Sequence, residues 1–102
     1  MTWVLSIHPE LWDDTDDAIE YYAEVEGDLP KSFMDELRAV FAFIRVWPMA
    51  GRTFHGGYRR VALRRFPYLL CYWVAGDTVR ALAVVHNRRD PKWVDERLAT
   101  RR

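Results

Sequence analysis

The amino-acid sequence predicts an α+β fold in which a helical hairpin packs on one face of a mainly antiparallel sheet. Three observations lead to this prediction: a short apolar run near residue 5, two consecutive amphipathic helical patterns between residues 10 and 46, and a strand-rich segment between residues 58 and 86. The chain has 102 residues, half of them hydrophobic, which is enough for one core and too few for a second domain of ordinary size. We therefore expect residues 1–102 to form a single domain.

The first strand and the two helices are predicted from their hydrophobic spacing. The apolar run Trp3–Ile7 is typical of a strand. A helix is predicted from Glu10 to Glu26, because apolar residues recur there every three or four positions and acidic residues occupy the other faces. A second helix is predicted from Pro30 to Val46. Helices joined by so short a link form an antiparallel hairpin, and its apolar side needs a further layer to cover it.

The sequence of the C-terminal half predicts a three-stranded meander, which we expect to cover the apolar side of the helical hairpin. Gly76-Asp77 is a two-residue hairpin turn with glycine at the position that needs positive φ in a type II′ turn. With this turn, Tyr72 faces Ala81 and Trp73 faces Arg80, and we expect Trp73 and Arg80 to form a cation–π pair. The same register gives three further pairs: Cys71 with Leu82, Leu70 with Ala83, and Leu69 with Val84.

This register predicts a sheet with two different faces. One face carries small apolar residues, and we expect the helical hairpin to cover it. The other face is basic and partly aromatic, and its predicted members are Arg60, Arg64, Trp73, Arg80 and His86. A short terminal helix is predicted over Lys92–Leu98, with Asp90 as its N-cap and Pro91 in its first turn. That helix either covers part of the basic face or is displaced from it by a partner.

The charges divide the chain into an acidic half and a basic half. Residues 1–50 hold eleven acidic and three basic side chains, a formal charge of −8, whereas residues 51–102 hold four acidic and twelve basic ones, a formal charge of +8. The net charge of zero therefore belongs to a dipolar molecule, and the asymmetry bears on binding partners rather than on fold.

The remaining composition predicts a cytoplasmic protein without cofactors. Cys71 is the single cysteine and lies in an apolar run, which is typical of a packed core thiol in a reducing compartment. The N-terminal residues do not form a signal peptide, and no apolar run has the length of a membrane span. His8 and His55 have no further ligands at metal spacing, so neither a metal site nor a cofactor is predicted.

Four sequence strings, in this order, carry a resemblance to a known family. They are Ala18-Ile-Glu-Tyr-Tyr22, Trp47-Pro-Met-Ala-Gly-Arg52, Tyr58-Arg-Arg-Val-Ala-Leu-Arg-Arg-Phe-Pro-Tyr68, and His86-Asn-Arg-Arg-Asp-Pro91. Together with the order of elements, they resemble the RelE/ParE superfamily, and within it the ParE, or plasmid-stabilisation, branch. The resemblance implies a toxin of a bacterial type II toxin–antitoxin module that a cognate antitoxin neutralises, with a toxin–antitoxin hetero-oligomer as a possible assembly.

The resemblance leaves two targets open, because the superfamily includes DNA gyrase inhibitors and ribosome-dependent mRNA endonucleases. RNA cleavage needs a base, an acid and cations at the phosphate. The candidates are His86, Arg64 and Arg89, but the lysines and the glutamate used by the endonuclease branches have no counterparts in the meander. This favours gyrase binding and leaves enzymatic activity uncertain, with the mRNA endonuclease as runner-up and a non-toxic basic interaction module as a further alternative.

Binding to the target or to the antitoxin is predicted at the basic face and the loop that follows it. The candidate residues are Arg60, Arg64, Trp73, Arg80, His86, Arg88 and Arg89. We expect a C-terminal segment of the antitoxin to cover the basic face or the adjoining groove of the helical hairpin, because it would neutralise this charge as it hides the site.

Overall fold

A computed structural model describes residues 3–25 and 27–102 and contains five strands and three α-helices within them. In chain order, these elements are β1 (Val4–Ile7), α1 (Leu11–Val25), α2 (Leu29–Val46), β2 (Arg52–Thr53), a single 3-10 turn (His55–Gly57), β3 (Arg59–Ala62), β4 (Tyr68–Ala75), β5 (Thr78–His86) and α3 (Pro91–Arg101). The sheet order is β1-β5-β4-β3-β2, with β1 parallel to β5 and the other pairs antiparallel. This confirms the predicted α+β architecture; the predicted end of the first helix, Glu26, lies outside the described residues.

The helical hairpin and one face of the sheet enclose the main core. α2 presents five buried apolar residues at helical spacing, of which Phe33, Leu37 and Ile44 are fully buried. Tyr22 of α1 packs edge-to-face on Phe66, with ring centroids 4.9 Å apart, so the loop before β4 is part of the same core. Each large apolar side chain buried in this way contributes about 1.5–3 kcal/mol relative to exposure. We call this side of the sheet the hairpin face.

The opposite side of the sheet is covered by α3, and we call it the α3 face. Leu98 is fully buried there, and Trp93 and Val94 pack against the same cluster of sheet residues. The helix begins at Pro91 because the Asp90 carboxylate accepts a hydrogen bond from the backbone N–H of Lys92, 3.2 Å away. The predicted N-cap is therefore confirmed, whereas the helix is longer than the predicted Lys92–Leu98. None of the helices within residues 3–25 and 27–102 is long and apolar enough to cross a membrane.

The pairing of β4 with β5 agrees with the predicted register near the turn and then shifts. Gly76 has a φ of 61°, and Trp73 faces Arg80 as predicted. Beyond Tyr72, however, Cys71 faces Ala83, so the predicted pairs of Cys71 with Leu82, Leu70 with Ala83, and Leu69 with Val84 are wrong by one residue. The reason is a β-bulge: Leu82 and Ala83 both oppose Cys71 and both pack on the α3 face.

Because of the bulge, each residue of β5 after Leu82 lies on the face of the sheet opposite to the one predicted from the sequence. Val84 packs into the hairpin core instead of the α3 face, and Val85 packs beneath α3. His86 is consequently carried to the hairpin face, where its ring lies 5.2 Å from that of Tyr68. The predicted position of His86 beside Trp73 and Arg80 is therefore wrong, because a strand with one additional residue presents each following side chain to the other side.

A buried ion pair closes the outer edge of β5 beyond the end of β1. β1 pairs with β5 only as far as Ala81. Past that point, the Asp14 carboxylate of α1 accepts from the Val84 N–H at 3.0 Å, and the Arg101 guanidinium of α3 donates to the Leu82 carbonyl at 3.0 Å. The Arg101 guanidinium also donates two hydrogen bonds to the Asp14 carboxylate, at 2.6 and 3.1 Å. This edge clip, formed by Asp14 and Arg101, joins helices from opposite faces of the sheet around its edge.

Candidate functional site

The largest concentration of predicted site residues surrounds a pocket between the α3 face and the start of α3. We call it the α3-side pocket; its volume is about 220 Å³. Leu69, Cys71, Val85 and Val94 give it an apolar floor. Its other lining residues are Phe54, His55, Arg60, His86, Asn87, Arg89, Pro91 and Asp95. An apolar floor beneath a few convergent polar groups is the usual composition of a binding site.

Arg60 and Arg89 supply the positive charge of the α3-side pocket. The Arg60 guanidinium lies 5.3 Å from the centroid of the Phe54 ring, and the Arg89 guanidinium lies 4.2 Å from that of Trp93. Within residues 3–25 and 27–102, neither guanidinium lies within 4.0 Å of a carboxylate oxygen. Because aromatic stacking leaves the donors of a guanidinium unsatisfied, both remain available to an anionic partner.

Cys71 lies in the floor of this pocket without being reactive. Burial raises the pKa of the Cys71 thiol to about 12, with a smaller opposing influence from Arg60. The thiol is therefore neutral at physiological pH, and a neutral thiol is a poor nucleophile. This agrees with its interpretation as a packed core residue.

Trp73 and Arg80 face each other on the α3 face, but they do not form the predicted cation–π pair. The Arg80 guanidinium donates to Ser6 Oγ of β1 at 2.8 Å. The guanidinium that lies over the Trp73 ring belongs to Arg102, 3.7 Å from the centroid. The predicted cation–π pair of Trp73 with Arg80 is therefore replaced by one that involves the end of α3, which sequence spacing alone does not bring close to β4.

His86 stands where the hairpin face and the α3 face meet at the end of β5. Its Nδ1 accepts a hydrogen bond from the Arg88 N–H at 3.1 Å, so this ring nitrogen is occupied by the turn that follows. The side chain of Arg88 is exposed. Because His86 also borders the α3-side pocket, it is close to Arg89 but turned toward Tyr68.

A second, more polar pocket of about 150 Å³ adjoins the first at His86 and Arg89. Asp17, one of the acidic residues of α1, lines it together with Tyr68 and Arg97. Burial, assisted by Tyr21, raises the pKa of Tyr68, so the phenol stays protonated at neutral pH. Of the two carboxylates that line the pocket, Asp14 is bonded to Arg97 and Arg101, which leaves Asp17 and His86 as the groups that could transfer a proton.

Arg64 is separated from the other candidates. It follows β3 and borders a groove beside α2, so its predicted position on the basic face is wrong. Its backbone N–H donates to Glu36 Oε1 at 2.7 Å, and the N–H and Nε of Arg65 donate to the same carboxylate. Burial acts to raise the pKa of Glu36, but these hydrogen bonds from Arg65 and Arg64 outweigh it and lower the pKa. Glu36 thus fixes the turn that directs Arg64 toward α2.

Prediction from the sequence missed three residues that have a clear structural role. Asp14 and Arg101 form the edge clip, and Arg102 stacks on Trp73. None of them stands in a recognisable motif, and their contacts join positions up to 87 residues apart in the chain. The only signal was the excess of basic residues at the end of the sequence, which does not identify their partners.

Comparisons with known proteins agree with the fold and the residue patterns. Residues 5–91 match the model of the family described as ParE toxin of type II toxin–antitoxin system, parDE. Proteins named Toxin ParE2 from two strains of Mycobacterium tuberculosis, CDC 1551 / Oshkosh and ATCC 25618 / H37Rv, are each 31% identical over 105 residues. The alignments cover 99% of this chain and 97% of each relative.

A solved structure supports the same conclusion at the level of the fold. It is described as the chromosomal ParDE TA system from P. aeruginosa and superimposes with a TM-score of 0.64 at 19% identity. The match covers 83% of this chain and 96% of that chain. From the family match over residues 5–91 and the full-length similarity to the two relatives, the chain belongs to the ParE family of toxins of type II toxin–antitoxin systems.

Proposed function

We propose that this ParE-type toxin arrests growth by binding DNA gyrase and that its cognate antitoxin neutralises it. The observation that favours a binding mechanism is that only two of the three candidate side chains for RNA cleavage lie together. His86 and Arg89 border the α3-side pocket, whereas Arg64 borders the groove beside α2. A cation cannot stabilise the charge on a phosphate unless it lies beside the groups that transfer the proton.

The α3-side pocket is the proposed contact with the target. Arg60 and Arg89 form no ion pair with a carboxylate of residues 3–25 or 27–102, and the apolar floor provides surface for an inserted side chain. The proposed surface also includes His86, which borders this pocket, Arg88 in the turn after it, and Trp73 and Arg80 farther along the α3 face. Gyrase as the target rests on the similarity to the ParE branch.

A supercoiling assay with purified gyrase and relaxed plasmid tests the proposal directly. The full-length toxin is expected to inhibit supercoiling. Arg89→Glu is expected to require about tenfold more toxin, because a charge reversal at an interface replaces attraction by repulsion. Lys92→Glu makes the same charge change at an exposed position outside the pocket and is the matched control. Full supercoiling at saturating wild-type toxin would contradict gyrase as the target.

The second candidate function is that of a ribosome-dependent mRNA endonuclease. The observation in its favour is the pocket shared by Asp17, His86 and Arg89, which combines a carboxylate, an imidazole and a guanidinium. Induction in a bacterial host without antitoxin, with mapping of transcript 5′ ends, separates the two functions. Growth arrest with intact transcripts supports gyrase binding, and new cuts within translated codons that disappear in His86→Ala support the endonuclease. Unimpeded growth would favour the non-toxic interaction module.

A further inference from the structure

A groove at the end of the hairpin face is lined by four aromatic rings and one proline ring. It lies between the C-terminal half of α1 and the start of β4, and its volume is about 460 Å³. Sites for small ligands typically measure about 300–1,000 Å³. The residues that line the groove are Tyr21, Tyr22, Pro67, Tyr68 and His86. We call it the tyrosine groove.

Packing against the core holds the rings of the tyrosine groove in place. The rings of Tyr22 and Phe66 pack edge-to-face. The Tyr68 ring lies 6.3 Å from that of Tyr22 and 5.2 Å from that of His86. Tyr21 packs against Tyr22 at 5.1 Å, yet 60% of its surface is exposed. The groove is therefore preorganised, and it has one large aromatic side chain, Tyr21, at its rim in contact with water.

The three phenol hydroxyls of the groove are unused hydrogen-bond donors. Within residues 3–25 and 27–102, none of the hydroxyls of Tyr21, Tyr22 and Tyr68 forms a hydrogen bond. Burial raises the pKa of Tyr22 and the pKa of Tyr68, so both phenols keep their protons at neutral pH. The groove therefore offers donors to a ligand that brings acceptors.

The backbone of Pro67 and Tyr68, at the edge of the groove, is already hydrogen-bonded. Pro67 has no N–H, and its carbonyl accepts from the Asn87 N–H at 2.8 Å. The Tyr68 N–H donates to the Phe66 carbonyl at 2.8 Å, and the Tyr68 carbonyl accepts from the Leu63 N–H at 2.9 Å. An added β-strand needs free backbone groups on the receiving edge. A segment bound here is therefore recognised by ring contacts and by side-chain hydrogen bonds.

Two acidic residues lie on the same side of α1 as Tyr21. Asp17 precedes it by four residues and Glu24 follows it by three, and residues at these spacings are neighbours on a helix surface. Within residues 3–25 and 27–102, neither carboxylate forms an ion pair. Arg89, which borders the second, more polar pocket, lies over the Trp93 ring and does not line the tyrosine groove. The charge beside the groove therefore favours a basic ligand over an acidic one.

We propose that the tyrosine groove binds an extended, proline-containing segment of a partner protein that carries a basic residue beside its prolines. Such a segment forms a polyproline II helix, which has no internal hydrogen bonds. Its proline rings pack on the aromatic faces, and its carbonyls accept from the phenol hydroxyls. Because proline has no N–H, no donor of the segment is left unpaired in the groove. The basic side chain pairs with Asp17 or Glu24. This site is additional to the proposed contact with gyrase.

The segment belongs to another protein and not to a second copy of this chain. A polyproline II ligand presents at least two prolines within one or two turns of three residues, as in the PxxP pattern. The prolines of this chain lie 18 to 24 residues apart, at Pro9, Pro30, Pro48, Pro67 and Pro91. No segment of the chain therefore has the chemistry that the groove requires.

The test uses the full-length toxin and defined peptides. The probe is a capped octapeptide of six prolines with an arginine at each end. One control peptide replaces the prolines by alanines, and a second replaces the arginines by glutamates. Binding is measured by titration of ¹⁵N-labelled toxin. We expect saturable amide shifts centred on Tyr21, Tyr68 and His86, and an affinity about tenfold lower for each control peptide.

Variants of the toxin separate the contributions of ring, hydroxyl and charge. Tyr21→Ala removes the exposed ring and is expected to weaken the probe about tenfold, whereas Tyr21→Phe removes only the hydroxyl and should weaken it about threefold. Trp47→Ala is the matched control, because Trp47 is 62% exposed and does not line the groove, and it should change the affinity less than about twofold. Asp17→Asn should weaken the probe about threefold, and Asp16→Asn, the same charge change outside the groove, less than about twofold.

Three results would overturn the proposal: equal affinity for the proline and alanine peptides, amide shifts centred outside the groove, or unchanged affinity in Tyr21→Ala. Tyr21 and Asp17 are exposed, and circular dichroism verifies that each variant is folded. Saturable binding that is lost in Tyr21→Ala and kept in Trp47→Ala would support it. The outcome does not depend on the proposed target, since the titration contains neither gyrase nor antitoxin.

Discussion

Replacing Asp14 by alanine should destabilise the protein more than any other single change to its acidic residues. The substitution removes the carboxylate that holds Arg101 and that accepts the Val84 N–H. The side chain of Arg101 is only 2% exposed and that of Asp14 only 9%, so water replaces these contacts poorly. The guanidinium would remain buried, with the Leu82 carbonyl as its hydrogen-bond acceptor within the described residues and the exposed Glu10 carboxylate, 3.7 Å from its Nε, as the remaining opposite charge.

The expected magnitude follows from these contacts. Removing one partner of a buried ion pair costs about 3–5 kcal/mol. Leaving the Val84 N–H without an acceptor adds about 1–3 kcal/mol. We therefore expect a loss of at least about 4 kcal/mol from the free energy of unfolding, against a total of about 5–15 kcal/mol for a typical domain. At about 4–8 °C per kcal/mol for a chain of this size, the melting temperature should fall by at least about 15 °C.

Urea denaturation followed by circular dichroism measures this loss. Asp16→Ala on the same helix is the control, because Asp16 is exposed and the change should cost less than about 0.5 kcal/mol. The double variant Asp14→Leu/Arg101→Met removes both charges and should recover most of the stability. A loss below about 1 kcal/mol in Asp14→Ala would show that the edge clip is not a major source of stability.

Two further predictions concern buried groups of β4. The Tyr72 hydroxyl donates to the Pro48 carbonyl at 2.7 Å and accepts from the Gly51 N–H at 2.9 Å. Tyr72→Phe removes both hydrogen bonds and should lower the free energy of unfolding, measured by urea denaturation, by about 1–3 kcal/mol. An unchanged denaturation midpoint would contradict this prediction. Cys71 should react with a thiol reagent at about pH 8 only after denaturation, and rapid labelling of the native protein would argue against its burial. Because folding raises the pKa of Cys71 from 9.0 to about 12, its contribution to stability is present below about pH 9 and declines as the pH rises toward 12.

The order of elements could be predicted because each has a local signal. Apolar spacing located α1 and α2, and Gly76-Asp77 located the turn between β4 and β5. The bulge at Leu82 had no such signal. Residues 81–85 are all apolar, so the alternation that normally distinguishes the two faces of a strand is lost where both faces are buried.

The candidate site could be predicted in its composition but not in its arrangement. Arg60 was predicted on the basic face and Arg89 in the loop that follows it, and both border one pocket in the structure. Arg64 could not be placed, because its direction depends on the Glu36 carboxylate of a distant helix. The pairing of Arg52 with Arg60 was also missed, since a two-residue strand is too short to have a periodic pattern.

The bulge in β5 affects how residue roles are transferred between relatives. A homologue that lacks the extra residue at position 82 would still align with His86, yet its histidine would point toward α3 instead of Tyr68. Two aligned histidines would then contact different partners although their neighbours in sequence match. Within this family, two aligned side chains can therefore be given the same role only if the number of residues between the Gly76 turn and the end of the strand is the same in both proteins.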